Sequence, residues 1–300
     1  MKIGTAVSRR HLKRPIKRGA FGPQAGTRSV VCSIVICVTT MTFGLTAAAD
    51  SAVERGAYLV NTIMACGNCH TPIGPDGPMA SKALAGRFLE KNPAFTAYAS
   101  NITPAGPSGN WSDQELKTAI REGLRPDGSI IGPPMPYQAY RGISDSDLDA
   151  IVAYLRSIPA VENKLPASEY AMALPAAYGP TVEFVPAPDP EDTLAVGRYL
   201  GYNLGHCIEC HSPNSPRGPD VWERPGEGGL VFHGPWGTSV SSNITVGALQ
   251  RYSDSELTKM ITEGIRPDGS TMAPPMPYPA YRSLKNDDLA ALLLWLRDQK

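Results

Sequence analysis

The chain has 300 residues, 42% of them hydrophobic, with 29 glycines and 29 prolines. That length allows one to three domains, and the Gly/Pro content predicts a body rich in loops and turns. The formal charge is zero only because residues 1–49 hold eight Lys/Arg and no Asp/Glu; without them 20 basic side chains face 28 acidic ones, and a body near −8 argues against nucleic acid as a partner.

Residues 1–28 are basic and polar. Val30–Ala49 carries no charge and ends in Ala47-Ala48-Ala49 before Asp50. This pattern predicts a signal peptide over 1–49 with cleavage near Ala49. The alternative is an uncleaved inner-membrane anchor, because an apolar run of about 20 residues just spans a bilayer. In either case the basic flank stays cytoplasmic and the body is exported, which makes the expected location periplasmic.

The body is organised around Cys66-Gly67-Asn68-Cys69-His70 and Cys207-Ile208-Glu209-Cys210-His211. C-x-x-C-H is the attachment signature of a c-type haem. Its two thiols add to the haem vinyl groups as thioethers, and the adjacent His points its imidazole at the iron. A single copy leaves a thioredoxin-like dithiol or a zinc site open as alternatives. Two copies, each followed by a Met at the same distance, favour two covalently bound haem c groups. The remaining cysteines, Cys32 and Cys37, lie in the N-terminal apolar run.

The motifs belong to an internal repeat offset by 141 residues. Ser112–Tyr137 aligns without a gap on Ser253–Tyr278, with 17 of 26 positions identical. Asn101-Ile102-Thr103 matches Asn243-Ile244-Thr245 one residue out of step. Each copy predicts a helix running into the haem motif (about 52–66 and 193–207), a Gly/Pro-rich segment, a middle helix, a loop and a closing helix. The middle helices open on capping boxes, Ser112 with Glu115 and Ser253 with Glu256, and end at Gly123 and Gly264. The closing helices, near 145–157 and 286–298, carry apolar stripes at Leu148, Ile151, Val152, Leu155 and at Leu289, Leu292, Leu293, Leu296. The predicted fold is therefore all-α: two tandem cytochrome c domains, 51–161 and 193–300, each a few helices around a covalently attached haem. Residues 162–192 form a Pro/Ala-rich linker whose Tyr170, Tyr178 and Phe184 are expected to pack across the domains.

An iron that only carries electrons needs a sixth ligand, and a Met thioether suits low-spin iron and raises its potential. Met135 lies 65 residues after His70, and Met276 lies 65 after His211, both within Pro-Pro-Met-Pro-Tyr. Prolines fix φ and remove backbone donors, so this loop can present its Met rigidly. The predicted iron ligands are thus His70 with Met135 and His211 with Met276, and the attachment residues are Cys66, Cys69, Cys207 and Cys210. Each proximal His should donate its second ring N–H to a carbonyl. The Gly-Pro pairs at Pro78 and Pro219 are candidates to supply it. Arg125 and Arg266 are candidates to pair with haem propionates or to be solvated turn residues, and Trp111 and Tyr252 to pack on haem or in the core. His206 and His233 are expected in core or surface roles. No catalytic residue is assigned.

Arg55-Gly56-Ala57-Tyr58-Leu59 before C-x-x-C-H, Ser100-Asn101-Ile102-Thr103-Pro104, Trp111-Ser112-Asp113, the Met135-Pro136-Tyr137 loop and the closing helix resemble the cytochrome c subunits of bacterial membrane-bound alcohol and gluconate dehydrogenases. The resemblance covers most of 52–160 and, more loosely, 193–298. It implies a periplasmic subunit that takes electrons from a dehydrogenase partner and passes them to a quinone, an oxidase or a soluble carrier, with no activity of its own. The family typically carries three haems where this chain has two motifs, and two-haem relatives also accompany molybdenum-containing dehydrogenases. The alternatives are a di-haem enzyme, such as a peroxidase or sulfur-compound oxidase, and a subunit of a terminal-oxidase complex. The near-identical Met loops speak against an iron with an open position.

Overall fold

The computed structural model describes residues 50–216, 218–234 and 236–299; the proposed leader over 1–49 lies outside them. The described residues fall in one compact unit. Helix α1 (50–58) passes into a π-helical turn, Leu59–Ile63, and then α2 (Gly67–His70). Two short strands, β1 (Ile73–Gly74) and β2 (Gly77–Pro78), precede the hairpin β3 (Arg87–Lys91) and β4 (Phe95–Ala99). Helices α3 (Asp113–Glu122), α4 (Tyr137–Tyr140) and α5 (Asp145–Ser157) complete the first half. A strand β5 (Glu169–Tyr170) lies in the connection. The second half repeats the order: α6 (Thr193–Arg198) with its π-helical turn Tyr199–Leu204, α7 (Cys207–Cys210), β6 (Asn214–Ser215), β7 (Gly218–Pro219), β8 (Val231–Gly234), β9 (Gly237–Val240), α8 (Val246–Leu249), α9 (Asp254–Glu263), α10 (Tyr278–Tyr281) and α11 (Asn286–Asp298).

The helical expectations hold closely. Ser112 and Ser253 form both halves of their capping boxes, and Gly123 and Gly264 end α3 and α9 at φ 67° and 69°. The apolar stripe of α5 is buried, and so are Leu292, Leu293 and Leu296 of α11. Glycine is required where α1 crosses α5. A Cβ on Gly56 would stand 1.9 Å from the Ala150 carbonyl oxygen, and one on Gly197 would stand 1.9 Å from that of Ala291.

The all-α expectation fails. The Gly/Pro-rich segment after each haem motif folds into antiparallel hairpins, giving four small sheets among the described residues. The Gly-Pro pairs are hairpin strands, with Ile73 opposite Pro78 and Asn214 opposite Pro219. β4 sends alternate side chains to opposite faces, so Ala97 and Ala99 turn inward. The turn between β3 and β4 closes on Asn92 Oδ1, which accepts from the Ala94 and Phe95 N–H groups. These strands are two to five residues long, too short to stand out from a loop by periodicity.

The connection also departs from expectation. It is wrapped along the first half instead of packing its aromatics between the halves. β5 adds to β4, with Phe95 opposite Tyr170. Tyr178 stacks on Tyr137 with ring centroids 4.8 Å apart. Asn163 Nδ2 donates to the Ala85 carbonyl at 2.9 Å, while Phe184 is 69% exposed.

The two halves meet through reciprocal contacts. Tyr58 donates to Asp288 Oδ2 at 2.5 Å and accepts from the Lys285 N–H. The equivalent Tyr199 donates to Asp147 Oδ2 at 2.9 Å and accepts from the Ser144 N–H. Each tyrosine thereby satisfies the N-terminus of the other half's closing helix. Asn203 adds a hydrogen bond to the Ala139 carbonyl, and one continuous apolar core runs through both halves. Among the described residues no helix is long and apolar enough to cross a membrane.

Candidate haem centres

Each C-x-x-C-H sits on a single helical turn, α2 or α7, entered through a residue held in the left-handed region: Ala65 at φ 46° and His206 at φ 39°. Non-glycine residues rarely occupy that region, so the chain is bent sharply just before the first cysteine of both motifs. The motif is then tied back by matched bonds. The Gly86 N–H donates to the His70 carbonyl and the Gly228 N–H to that of His211, both at 2.6 Å. The side-chain oxygens of Thr71 and Ser212, each following its His, accept from the Leu84 and Gly226 N–H groups.

All four motif cysteines are free thiols. Cys69 is exposed and Cys66, Cys207 and Cys210 are half-buried, and desolvation pushes the Cys66 and Cys207 thiols up to about 12. Cys69 and Cys210 are raised as well, chiefly by burial. Redox-active C-x-x-C pairs have thiols lowered below the ordinary value, so this environment disfavours the dithiol alternative. Among the described residues no three His, Cys, Asp or Glu side chains converge as a metal-binding group.

His70 Nδ1 lies 2.7 Å from the Ser100 carbonyl oxygen, and His211 Nδ1 lies 2.6 Å from that of Ser242. A carbonyl can only accept, so Nδ1 carries the hydrogen and Nε2 keeps its lone pair for a metal. Burial lowers both imidazoles further, holding them in the neutral form that ligates iron. The acceptors are therefore not the carbonyls beside Pro78 and Pro219. Ser100 and Ser242 each precede a repeated Asn-Ile-Thr, and Asn101 Oδ1 and Asn243 Oδ1 accept from the Thr103 and Thr245 N–H groups. These side-chain turns fix the carbonyls aimed at the imidazoles. The repeat of Ser-Asn-Ile-Thr one residue out of step with the rest was the signal for them.

The loops bearing the methionines follow α3 and α9. Met135 and Met276 are half-buried and pack against the core just before α4 and α10. Arg125 and Arg266 fasten the turns ahead of them, reaching the Ile130 carbonyl at 2.8 Å and the Thr271 carbonyl at 2.7 Å. Trp111 and Tyr252 pack on the core, and their carbonyls accept from Arg156 and Arg297 of the closing helices. His206 lies edge-on to Tyr140, and His233 bridges its hairpin to Thr238. Arg87 was missed by sequence reading: its Nη2 donates to the Asn68 carbonyl inside the first motif, and its Nε is buried without a partner. A cation with an unused donor beside a haem motif suits an anionic cofactor edge.

The two motifs lie close together. Tyr140, buried against the first motif's Cys66 and Cys69, also feels Glu209 of the second. The Cys69 thiol in turn contributes to raising Cys210. The paired thiols on one turn, the neutral imidazoles with open Nε2 and the orphan donor of Arg87 fit covalently held haem c.

The cytochrome c family matches residues 53–159. The chain is 34% identical to a nicotinate dehydrogenase subunit of Pseudomonas putida, over 52% of this chain and 14% of that protein. It is 32% identical to the gluconate 2-dehydrogenase cytochrome c subunit of Pantoea cypripedii, over 61% of this chain and 43% of that one. It is 30% identical to a diheme cytochrome c-type protein of Cereibacter sphaeroides, over 68% of this chain and 70% of that one. The chain thus spans less than half the length of both dehydrogenase subunits and more than two thirds of the diheme protein.

Proposed function

The chain belongs to the cytochrome c family, and from that premise we propose that it binds two haem c groups and carries electrons from a dehydrogenase partner to a quinone, an oxidase or a soluble carrier. It is an electron-transfer cytochrome with covalently attached haem. The observation that carries the proposed reading is the repeated centre: the same His-to-carbonyl bond, the same tie-back of the motif and the same Met-bearing loop in each half.

In this reading Cys66, Cys69, His70 and Met135 hold one haem within 51–161, and Cys207, Cys210, His211 and Met276 hold the other within 193–300, joined by 162–192. Residues 1–49 direct export, placing the body in the periplasm with or without an anchor. Bound haem c supplies a one-electron iron couple. The chain's residues supply the rest. Ser100 and Ser242 orient the imidazoles and raise their basicity. The Met loops offer soft thioethers that favour reduced iron and fill the position a substrate would need. The acidic body favours docking on basic protein patches.

The dehydrogenase partner is supported by the gluconate and nicotinate dehydrogenase subunits among the relatives. The test is purification of the holoprotein from its native host, with haem counted per chain and co-purifying proteins identified. Two low-spin haems and a co-purifying dehydrogenase subunit are expected. One haem per chain, or a high-spin iron in the resting protein, would overturn the reading.

A further inference from the structure

The Met276 loop is poor in backbone donors. Pro274, Pro275 and Pro277 carry no N–H, so the loop is positioned through its carbonyls. Two side chains reach them. Ser239 Oγ donates to the Pro274 carbonyl at 2.6 Å, and Asn68 Nδ2 donates to the Pro275 carbonyl at 2.9 Å. Ser239 lies on β9 of the same half. Asn68 belongs to the other half and stands between Cys66 and Cys69, inside the first haem motif. The carbonyl it holds is part of the peptide bond leading into Met276.

The first half lacks the mirror image of this contact. Its Met loop is held by the connection instead: Tyr170 donates to the Pro133 carbonyl at 3.0 Å, and Tyr178 to the Ile131 carbonyl at 2.8 Å. Tyr170 and Ser239 act on equivalent carbonyls, 141 residues apart. At the place equivalent to Asn68 stands Glu209, whose Oε2 is buried without a hydrogen-bond partner. That oxygen therefore holds no carbonyl of the Met135 loop. The repeat is symmetric in its scaffold and asymmetric in how its Met loops are held.

We propose that Asn68 is a positioning residue for the second haem centre: from within the first attachment motif it fixes the peptide that presents Met276, and so ties the second iron's axial ligation to the first motif. The inference rests on Met276 being an iron ligand. It makes a counterintuitive demand, namely that a change in the first haem's motif alters the second haem's potential. The intervening residues of C-x-x-C-H take no part in attachment, so both haems remain bound when Asn68 is changed.

The experiment is a spectroelectrochemical titration of holoprotein carrying Met276→Ala, Asn68→Ala, Asn68→Leu or Asn68→Gln, with haem content checked for each. Met276→Ala lowers one of the two midpoints and so labels the second centre. Asn68→Ala and Asn68→Leu should lower that same midpoint, weaken the far-red thioether-to-iron band and leave the other midpoint in place. Asn68→Gln keeps an amide donor and should restore both signals. A shift confined to the other midpoint, or no shift from Asn68→Ala while Met276→Ala moves one, overturns the proposal and spares the ligation reading. If Met276→Ala moves neither midpoint, the ligation reading fails and the proposal falls with it.

Discussion

Tyr199 donates its hydroxyl hydrogen to Asp147 Oδ2 at 2.9 Å across the boundary between the halves, while the Arg55 guanidinium holds both oxygens of the same carboxylate. With its mirror image, Tyr58 to Asp288, this contact makes each half cap the closing helix of the other. Tyr199→Phe strands the Ser144 N–H and part of the Asp147 charge. It should cost about 1–3 kcal/mol of unfolding free energy, measured by urea denaturation of the holoprotein. A cycle with Asp147→Asn should show coupling; strictly additive losses would mean that the hydroxyl contributes nothing through Asp147.

Replacing Met135 or Met276 by alanine should lower the midpoint of one haem and leave the other nearly in place, because a thioether stabilises reduced iron. Redox titration of both variants reports this directly. Two variants that lower the same midpoint would assign both methionines to one centre and contradict the pairing of each with its own motif.

Covalent attachment is set by the thiols. Cys66→Ser and Cys210→Ser should each leave one haem held by a single thioether or lost, read as reduced haem stain after denaturing electrophoresis. Full stain intensity in both variants would sink the assignment.

Gly56 and Gly197 sit at close helix crossings. Gly56→Ala forces a methyl into the Ala150 carbonyl of α5 and should destabilise by about 1–3 kcal/mol or more, since backbone cannot yield as a side-chain tip does. An unchanged urea midpoint would show that α1 does not cross α5 this closely.

The pH dependence of stability carries two opposed contributions. Burial lowers the His206 imidazole to about 4, against an ordinary 6.5 in the unfolded chain. Between those values only the unfolded chain takes up the proton, so stability falls as pH drops from 6.5 to 4 and is level below that. Glu209, whose N–H donates to the His206 carbonyl, behaves in the opposite sense. Burial raises its carboxyl to about 8 from 4.5, so the folded chain keeps a proton that the unfolded chain sheds, and stability falls as pH rises from 4.5 to 8. Each effect is on the order of a few kcal/mol, the larger belonging to Glu209. His206→Phe should flatten the acid limb of urea midpoints and Glu209→Gln the alkaline limb; limbs unmoved by these changes would place the titration elsewhere.

What could be read in advance was whatever has a local chemical signature. The Ser112 and Ser253 capping boxes, the Gly123 and Gly264 caps and the bounds of α5 and α11 follow from a few adjacent residues, and the structure places them as expected. The hairpins escaped because strands this short carry too few alternations to compete with Gly and Pro as loop signals. The acceptors for His70 and His211 escaped for another reason. They are backbone carbonyls, which every residue has, so only the repeated Asn-Ile-Thr turn marked them. Contacts such as Asn68 to Pro275 join residues 207 apart and leave no trace in either neighbourhood.

The wrapped connection has a bearing on the order of assembly. β4 gains its partner from Glu169–Tyr170, the Met135 loop gains its clamps from Tyr170 and Tyr178, and the Asp145 N–H is satisfied by the Val185 carbonyl. A chain emerging N-terminus first cannot finish its first half until residue 185 has followed. The Met135 loop and the edge of β4 therefore take their final form only after the chain beyond the first half has arrived.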